Sequence, residues 1–541
     1  SLNHGGTGLE PLKLEELSAE QKIGQMLLAR ANQIPGNMDA IFELAEKKAL
    51  GGVHLNIENS RVITELNERA GYPILICDNM ERGFKGSEVL FPPPLAVGAA
   101  NDEELAYQFG ALAGRDAKHT GFSVVFGPVT DIAMNPLASC VGVRAFGGDK
   151  ERVARITSAV IRGYQDQGMI VTAKHYPGFG ESHVDSHIGM VYLTCNEETL
   201  ISRELYPYLE AMKNADLTGI MTGHIMVSEV DPEYPASVSK KLIGIIRDHG
   251  FDGLIMTDSL AMVGMTNIFG VEECHRLAMA AGNDMVMTSY RITAGEAYDY
   301  MVKAYREGAV TEEEIDKAAG RVLAAQARTL TGGGSPVKRE EWKAAVEISR
   351  KSITAVTAPG VDPAVSPDEK HLFILETSVE YLNPEPKWGY RQGHDPCGID
   401  ADHVEELISE LFPNSDIIKV GEFPSRGQME RCLAETMNYQ SVIMVVFNQA
   451  TAYMGSSDLT KRMLALMEGI SHKILGVVLF GGPYAAREFP PVPRIIFGYD
   501  GRLCERAALR VLAGKEEAQG TIPVPLELPP LRNTMKEAGI H

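Results

Sequence analysis

The chain has 541 residues and a formal net charge of −21. That is too long for one hydrophobic core, and too acidic for a nucleic-acid partner, whose phosphates need clustered Lys and Arg. Its seven Cys are widely separated, with no Cys-x-x-Cys pair, which excludes a disulfide framework and a zinc ribbon and predicts reduced, buried thiols. No apolar run reaches the roughly 18–20 residues that span a bilayer, and the polar start Ser1-Leu2-Asn3-His4 has no signal-peptide core; the expectation is a cytoplasmic protein with no membrane span.

From residue 1 to about 330, short apolar strands alternate with helical patterns. Strands are predicted near 24–29, 52–56, 73–77, 123–127, 169–173, 218–222, 253–257 and 284–288, with amphipathic helices such as 103–118, 150–166, 240–249 and 271–281 between them. Continuous apolar runs read as strands buried on both faces, and the helices supply the crossovers of a parallel sheet. The eight units predict a (β/α)8 TIM-like barrel, with its active site at the C-terminal strand ends. A doubly wound sheet is the alternative, but no GxGxxG fingerprint stands where that fold would need it.

Gly332-Gly333-Gly334-Ser335-Pro336 interrupts this pattern, and a charged helix near 338–352 follows. From 353 a second α/β series begins, with strands near 353–357, 371–376, 441–447, 473–480 and 494–498 and helices near 403–411, 427–437, 458–470 and 502–513. The expected organisation is a catalytic barrel over 1–330, a linker and connecting helix over 331–352, and a smaller three-layer α/β sandwich domain over 353–541.

Polar residues stand repeatedly just past the apolar strands of the first region. Asp78, Asn79 and Glu81 follow the third, Asp131 the fourth, Lys174 and His175 the fifth, His224 the sixth and Asp258 the seventh. In a closed barrel all of them converge on one mouth. The richest stretch is Lys174-His175-Tyr176-Pro177-Gly178-Phe179-Gly180-Glu181-Ser182-His183-Val184-Asp185-Ser186-His187, a loop too rich in Pro and Gly for a helix. Asp185 could bond the His187 ring and fix its tautomer for proton transfer; a solvated loop histidine is the plain alternative. A metal held by His183 and His187 has no third ligand pattern to support it. Asp258 reads either as a nucleophile or as a helix N-cap. Lys174 and His175 read as hydroxyl donors or as a salt bridge at the barrel mouth, and Arg144 as a substrate clamp or a structural group.

The Lys174–His187 segment resembles the Lys-His-Phe-Pro-Gly-His-Gly…Asp-Ser-His signature of glycoside hydrolase family 3, in its β-N-acetylglucosaminidase branch. Gly250–Met262 is similar to the nucleophile segment of that family. Met221-Thr222-Gly223-His224-Ile225, Phe126–Asp131, Arg144-Ala145-Phe146-Gly147 and Gln21–Leu27 match further stretches in order. Gly514-Lys515 and Gly520-Thr521-Ile522-Pro523-Val524 resemble the second domain of the two-domain members.

The resemblance implies a retaining exo-acting β-glycosidase, most closely a β-N-acetylhexosaminidase. It implies Asp258 as nucleophile, His187 as acid/base backed by Asp185, and Arg144, Lys174 and His175 as ligands of the sugar hydroxyls. Asp78, Asn79, Asp131 and His224 complete the candidate substrate-binding set. No metal and no organic cofactor is expected. The partner is a small carbohydrate or glycoconjugate, and a homodimer stays open. A β-glucosidase or β-xylosidase, a phosphorolytic variant and a non-catalytic sugar-binding protein are the alternatives. One departure stands out: aligned on Glu81-Arg82-Gly83, the position of the family's hydroxyl-binding Asp holds Asn79, and Asp78 falls one residue early. An amide accepts fewer and weaker hydroxyl bonds than a carboxylate.

Overall fold

The computed structural model describes residues 8–137, 141–179, 182, 184, 189–377, 400–448 and 459–539. It divides into two compact units. The first holds the residues up to Glu88, Ala106–Asn135 and Lys150–Glu341; the second holds Val89–Leu105, Pro136–Asp149 and the chain from Trp342 onward.

The strands of the first unit are β1 (Leu27–Arg30), β2 (Gly52–His54), β3 (Leu75–Asp78), β4 (Val124–Val125), β5 (Ile170–Val171), β6 (Ala173–Tyr176), β7 (Val191–Leu193), β8 (Gly219–Thr222), β9 (Ile225–Val227), β10 (Leu254–Thr257) and β11 (Val286–Met287). β7 and β9 pair with each other as an outlying parallel ribbon. The rest form a ring. One run is ordered β11-β1-β2-β3-β4-β5, the other β10-β8-β6. β5 and β6 are two halves of one strand interrupted at Thr172, and the ring closes where Met256 bridges Met285 and the Thr257 N–H bonds the Met285 carbonyl at 3.1 Å. All these pairings are parallel, as the alternation of strands and helices predicts.

Residues two apart on a strand face the same side, so Leu75 and Cys77, Leu254 and Met256, and Met285 and Met287 meet in one buried cluster with Phe126. Methionine fills irregular space well, which suits the tapering interior of a small barrel. The predicted first strand begins too early: Ala19–Gln25 is a helix with a Ser18/Gln21 capping box, and β1 starts only at Leu27.

In the second unit, β12 (Thr354–Thr357), β13 (Leu372–Thr377), β14 (Asp416–Gly421), β15 (Val442–Asn448), β16 (Ile474–Gly481) and β17 (Arg494–Tyr499) form one sheet in the order β12-β17-β16-β15-β13-β14. Only β12 runs antiparallel to its neighbour. Helix Ala401–Leu411 packs beside Arg502–Leu512, and Arg426–Thr436 beside Lys461–Gly469. β14 is absent from the predicted strands because it is an edge strand with only Ile418 and Val420 buried, so it lacks the apolar run that marks the central strands.

The two stretches Val89–Leu105 and Pro136–Asp149 lie within the expected 1–330 span and cluster with the second compact unit. Backbone bonds explain their membership: the Thr521 N–H donates to the Ala99 carbonyl at 3.1 Å and the Gly148 N–H to the Pro523 carbonyl at 2.8 Å. Five described cysteines, Cys77, Cys195, Cys274, Cys432 and Cys504, are free and buried. Among the described residues, no helix is long and apolar enough to cross a membrane.

Candidate active site

Asp258 directly follows β10. Its N–H bonds the Thr222 carbonyl at 2.8 Å, and its Oδ1 accepts the Ser259 N–H at 2.7 Å. The helix-cap reading fails here: the next helix starts at Val263, with Met262 at its N-cap position. Asp258 is 9% exposed. Burial pushes its carboxyl up, the largest single influence. His175, His224, the Ser259 N–H and Lys174 together outweigh it and hold the group below the ordinary carboxylate range.

β6 carries Lys174 and His175 as strand residues, so the strand continues through the cation and imidazole that sequence places at its end. His175 is held from both sides. Asp131 Oδ2 lies 2.8 Å from its Nδ1, and Asp131 Oδ1 accepts the His175 backbone N–H at 3.3 Å and the Phe179 N–H at 3.0 Å. His175 Nε2 then stands 3.9 Å from Asp258 Oδ2. Phe179 packs edge-on against the His175 ring at 4.7 Å. The turn before it needs glycine: Gly178 has φ +147°, and a Cβ there would come within 2.6 Å of Glu204 Oε2.

Lys174 is almost fully buried. Its Nζ pairs with Glu81 Oε1 at 3.0 Å and donates to Asn79 Oδ1 at 3.3 Å, a salt bridge with a second hydrogen bond. Asp78, at the end of β3, accepts the Asn79 N–H at 2.8 Å and faces His54 Nε2 at 3.4 Å. Burial lowers the His54 pKa, and Asp78 only partly offsets it, so His54 favours the neutral ring.

Two residues expected to bind substrate are held by hydrogen bonds inside the protein. His224 is 2% exposed; Nε2 donates to the Ser259 carbonyl at 2.8 Å and Nδ1 pairs with Ser237 Oγ at 2.7 Å. Both nitrogens are used inside the protein, so His224 fixes the backbone beside Asp258. Asp131 is likewise 2% exposed and directs both oxygens at His175 and its loop. Their hydrogen bonds run within the protein, to the residues beside Asp258 and His175.

Arg30 is a site residue that the sequence reading passed over. It ends β1, and its Nη1 donates to Ser259 Oγ at 2.6 Å. The signal was the same one that picked out the others, a polar residue closing an apolar strand. Arg144 lies in the short 3-10 turn Gly142–Arg144 and belongs to the second compact unit. His183, Asp185 and His187 lie outside the described residues. Among the described residues there is no group of three or more His, Cys, Asp or Glu able to hold a metal ion.

Comparison with known proteins gives three concordant findings. The family model "Glycosyl hydrolase family 3 N terminal domain" matches residues 18–325. A β-N-acetylglucosaminidase/β-glucosidase of Cellulomonas fimi is 25% identical over 97% of this chain and 96% of its own length. A β-hexosaminidase of Pseudomonas aeruginosa is 36% identical over 34% of this chain and 55% of its own. Among solved structures, a glycoside hydrolase family 3 β-N-acetylglucosaminidase from Paenibacillus sp. str. FPU-7 superposes with a TM-score of 0.79 and 26% identity, covering 95% of this chain and 100% of that one. The β-glucoside phosphorylase BglX shares the fold, at 22% identity and the same TM-score of 0.79, over 95% of each chain.

Proposed function

The chain belongs to glycosyl hydrolase family 3, and from that premise we propose that it is a retaining exo-β-glycosidase whose substrates are β-N-acetylhexosaminides. Asp258 attacks the anomeric carbon while His187 protonates the departing glycosidic oxygen. A covalent glycosyl-enzyme forms on Asp258. His187 then takes a proton from the incoming water, which displaces Asp258 and releases the sugar. Asp185 bonds the His187 ring and keeps the tautomer that this exchange needs. The roles of Asp185 and His187 rest on the resemblance of the Lys174–His187 segment. Lys174, Asn79 and Arg144 are the proposed ligands of the sugar hydroxyls.

The observation that carries this reading is Asp258: a carboxylate at a barrel strand end, oriented by the Ser259 N–H and favoured in its ionised form by its neighbours. A nucleophile must be deprotonated and aimed before substrate arrives. The sugar preference is supported by the relatives described as β-N-acetylglucosaminidase/β-glucosidase and β-hexosaminidase.

The test is a panel of aryl β-glycosides of N-acetylglucosamine, glucose and xylose, followed by trapping with a 2-fluoro glycosyl donor and mass mapping of the adduct. The reading expects fastest turnover of the N-acetylglucosaminide and an adduct on Asp258. Preference for glucose or xylose would replace the sugar assignment; absence of both turnover and adduct would leave a sugar-binding protein. His187→Ala should slow substrates with poor leaving groups far more than activated aryl glycosides. A neutral imidazole also repels an anion less than a carboxylate does, so the panel is run with and without phosphate.

A further inference from the structure

The sheet of the second unit reverses its winding once. Counted from β13, its parallel strands stand in the order 2-1-3-4-5, so the chain winds to one side of β13 first and then crosses to the other. The reversal falls between β13 and β15. In open α/β sheets, the crevice past the carboxyl ends of two such strands is where small ligands bind.

Both strands end there in a buried polar side chain. Glu376, next to last in β13, is 2% exposed, and Asn448, last in β15, is 4% exposed. Glu376 Oε2 and both Nδ2 and Oδ1 of Asn448 have no hydrogen-bond partner among the described residues. A buried amide in that state costs free energy, and few buried polar groups are left in it.

The register brings the two groups together. Leu375 pairs with Val445, so the next step sets Glu376 beside Val446, two residues before Asn448. Side chains alternate along a strand, and Glu376, Val446 and Asn448 therefore share one face of the sheet. The Glu376 carboxyl also bonds the Phe447 N–H, directly before Asn448. On the other flank, Gly481 is the register partner of Asn448, and the Gly482 N–H bonds the Asn448 carbonyl at 2.9 Å. A Cβ at Gly482 would lie 3.4 Å from Asn448 Oδ1, so the amide oxygen sits beside a residue with no side chain to cover it.

The two groups match in chemistry. Burial and Glu422 push the Glu376 carboxyl up to about 8, so near neutral pH it is protonated and offers an O–H as well as an oxygen. The Asn448 amide likewise donates and accepts. Such a pair suits hydroxyl and amide groups, while Glu422 disfavours an anion.

We propose that Glu376 and Asn448, at the C-terminal ends of β13 and β15, form a binding site for a small uncharged sugar, additional to the site of Asp258. The choice of a sugar rests on the glycosidase reading: its neighbouring hydroxyl and acetamido groups carry the matching donors and acceptors, and the reaction releases such a molecule.

The test uses the full chain with Asp258 blocked by a 2-fluoro glycosyl donor. It is titrated calorimetrically with N-acetylglucosamine, with glucose, and with inorganic phosphate as the charged control. The proposal expects saturable binding of one of the sugars and none of phosphate. Asn448→Leu and Gly482→Ala should each weaken that binding about tenfold or more. Gly482 has φ −66°, which alanine adopts freely, so its variant tests the site even if Asn448→Leu does not fold. No saturable binding of either sugar, which leaves these polar groups to ordered water only, overturns the site. So does tighter binding of phosphate, or sugar binding that survives both substitutions. Failure of the adduct to form counts against the glycosidase reading alone; the titration is then run on the unmodified chain, where comparison with the two variants still reads this site.

Discussion

His175 Nε2 stands 3.9 Å from Oδ2 of Asp258, with its other ring nitrogen fixed by Asp131 at 2.8 Å. This places a buried imidazole on the same side of the site as the carboxylate. A group that protonates the leaving oxygen must face the opposite side of the scissile bond from the nucleophile. We propose that His175 serves Asp258 by favouring its ionised form, and that the leaving-group proton comes from elsewhere.

Asp131→Asn should lower kcat about 10- to 100-fold with little change in KM, because the amide keeps the shape but no longer fixes the His175 ring through a charge-assisted bond. His175→Ala should slow good and poor leaving groups alike. Kinetics on paired aryl glycosides of differing leaving-group acidity check this; a loss confined to poor leaving groups would make His175 the acid.

The pH profile follows from Asp258. Its carboxyl is held below the ordinary range, so the acidic limb of kcat/KM assigned to it should lie below about pH 4. Lys174→Met removes one of the charges that hold it down and should move that limb upward. For stability the sign is the same: a depressed carboxyl favours the folded state above its unfolded pKa and loses that contribution as pH falls through the folded value.

Glu376 gives the opposite sign. Burial, reinforced by Glu422, pushes it up to about 8, and its Oε2 has no hydrogen-bond partner. The folded state thus binds more protons than the unfolded chain between about pH 4.5 and pH 8, and stability falls as pH rises through that window. Glu376→Gln should leave stability at pH 5 nearly unchanged and add a few kcal/mol at pH 9. Urea denaturation at the two pH values reads this directly; equal effects at both would remove Glu376 as the titrating group.

Asn79→Asp puts a carboxylate where the family pattern has one, next to Lys174 and close to Asp78 and Glu81. The expected outcome is a changed ratio of kcat/KM between N-acetylglucosamine and glucose substrates, by about fivefold or more, since a carboxylate accepts hydroxyl bonds more strongly than an amide. An unchanged ratio, measured on the same aryl aglycone, would show that position 79 does not contact the distinguishing groups.

Asp284 is a structural carboxylate to set against Asp258. It is 1% exposed and joins Arg247 at 2.7 Å and Arg321 at 3.2 Å, while accepting the Ile255 N–H at 2.8 Å. Asp284→Ala leaves those cations without their counter-charge and should cost about 3–5 kcal/mol in unfolding free energy. Thermal and urea unfolding check it, while Asp258→Ala should abolish turnover.

The strands of the barrel, the crossover helices and the polar residues that end the strands were all legible in the chain, because each is local: an apolar run of a few residues, a period, a polar stop. Asp258, Lys174, His175 and Asn79 came from that rule. The tertiary structure alone decided which of those residues face each other. Arg30 reaches Ser259 across 229 positions, and His224 uses both ring nitrogens on Ser237 and Ser259. Periodicity records burial, which each residue carries in its own chemistry; a hydrogen-bond partner is fixed only when the ring of strands closes and brings distant segments to one mouth. That is why the sequence could name the groups at the site, and only closure could show which of them bond to the residues around Asp258.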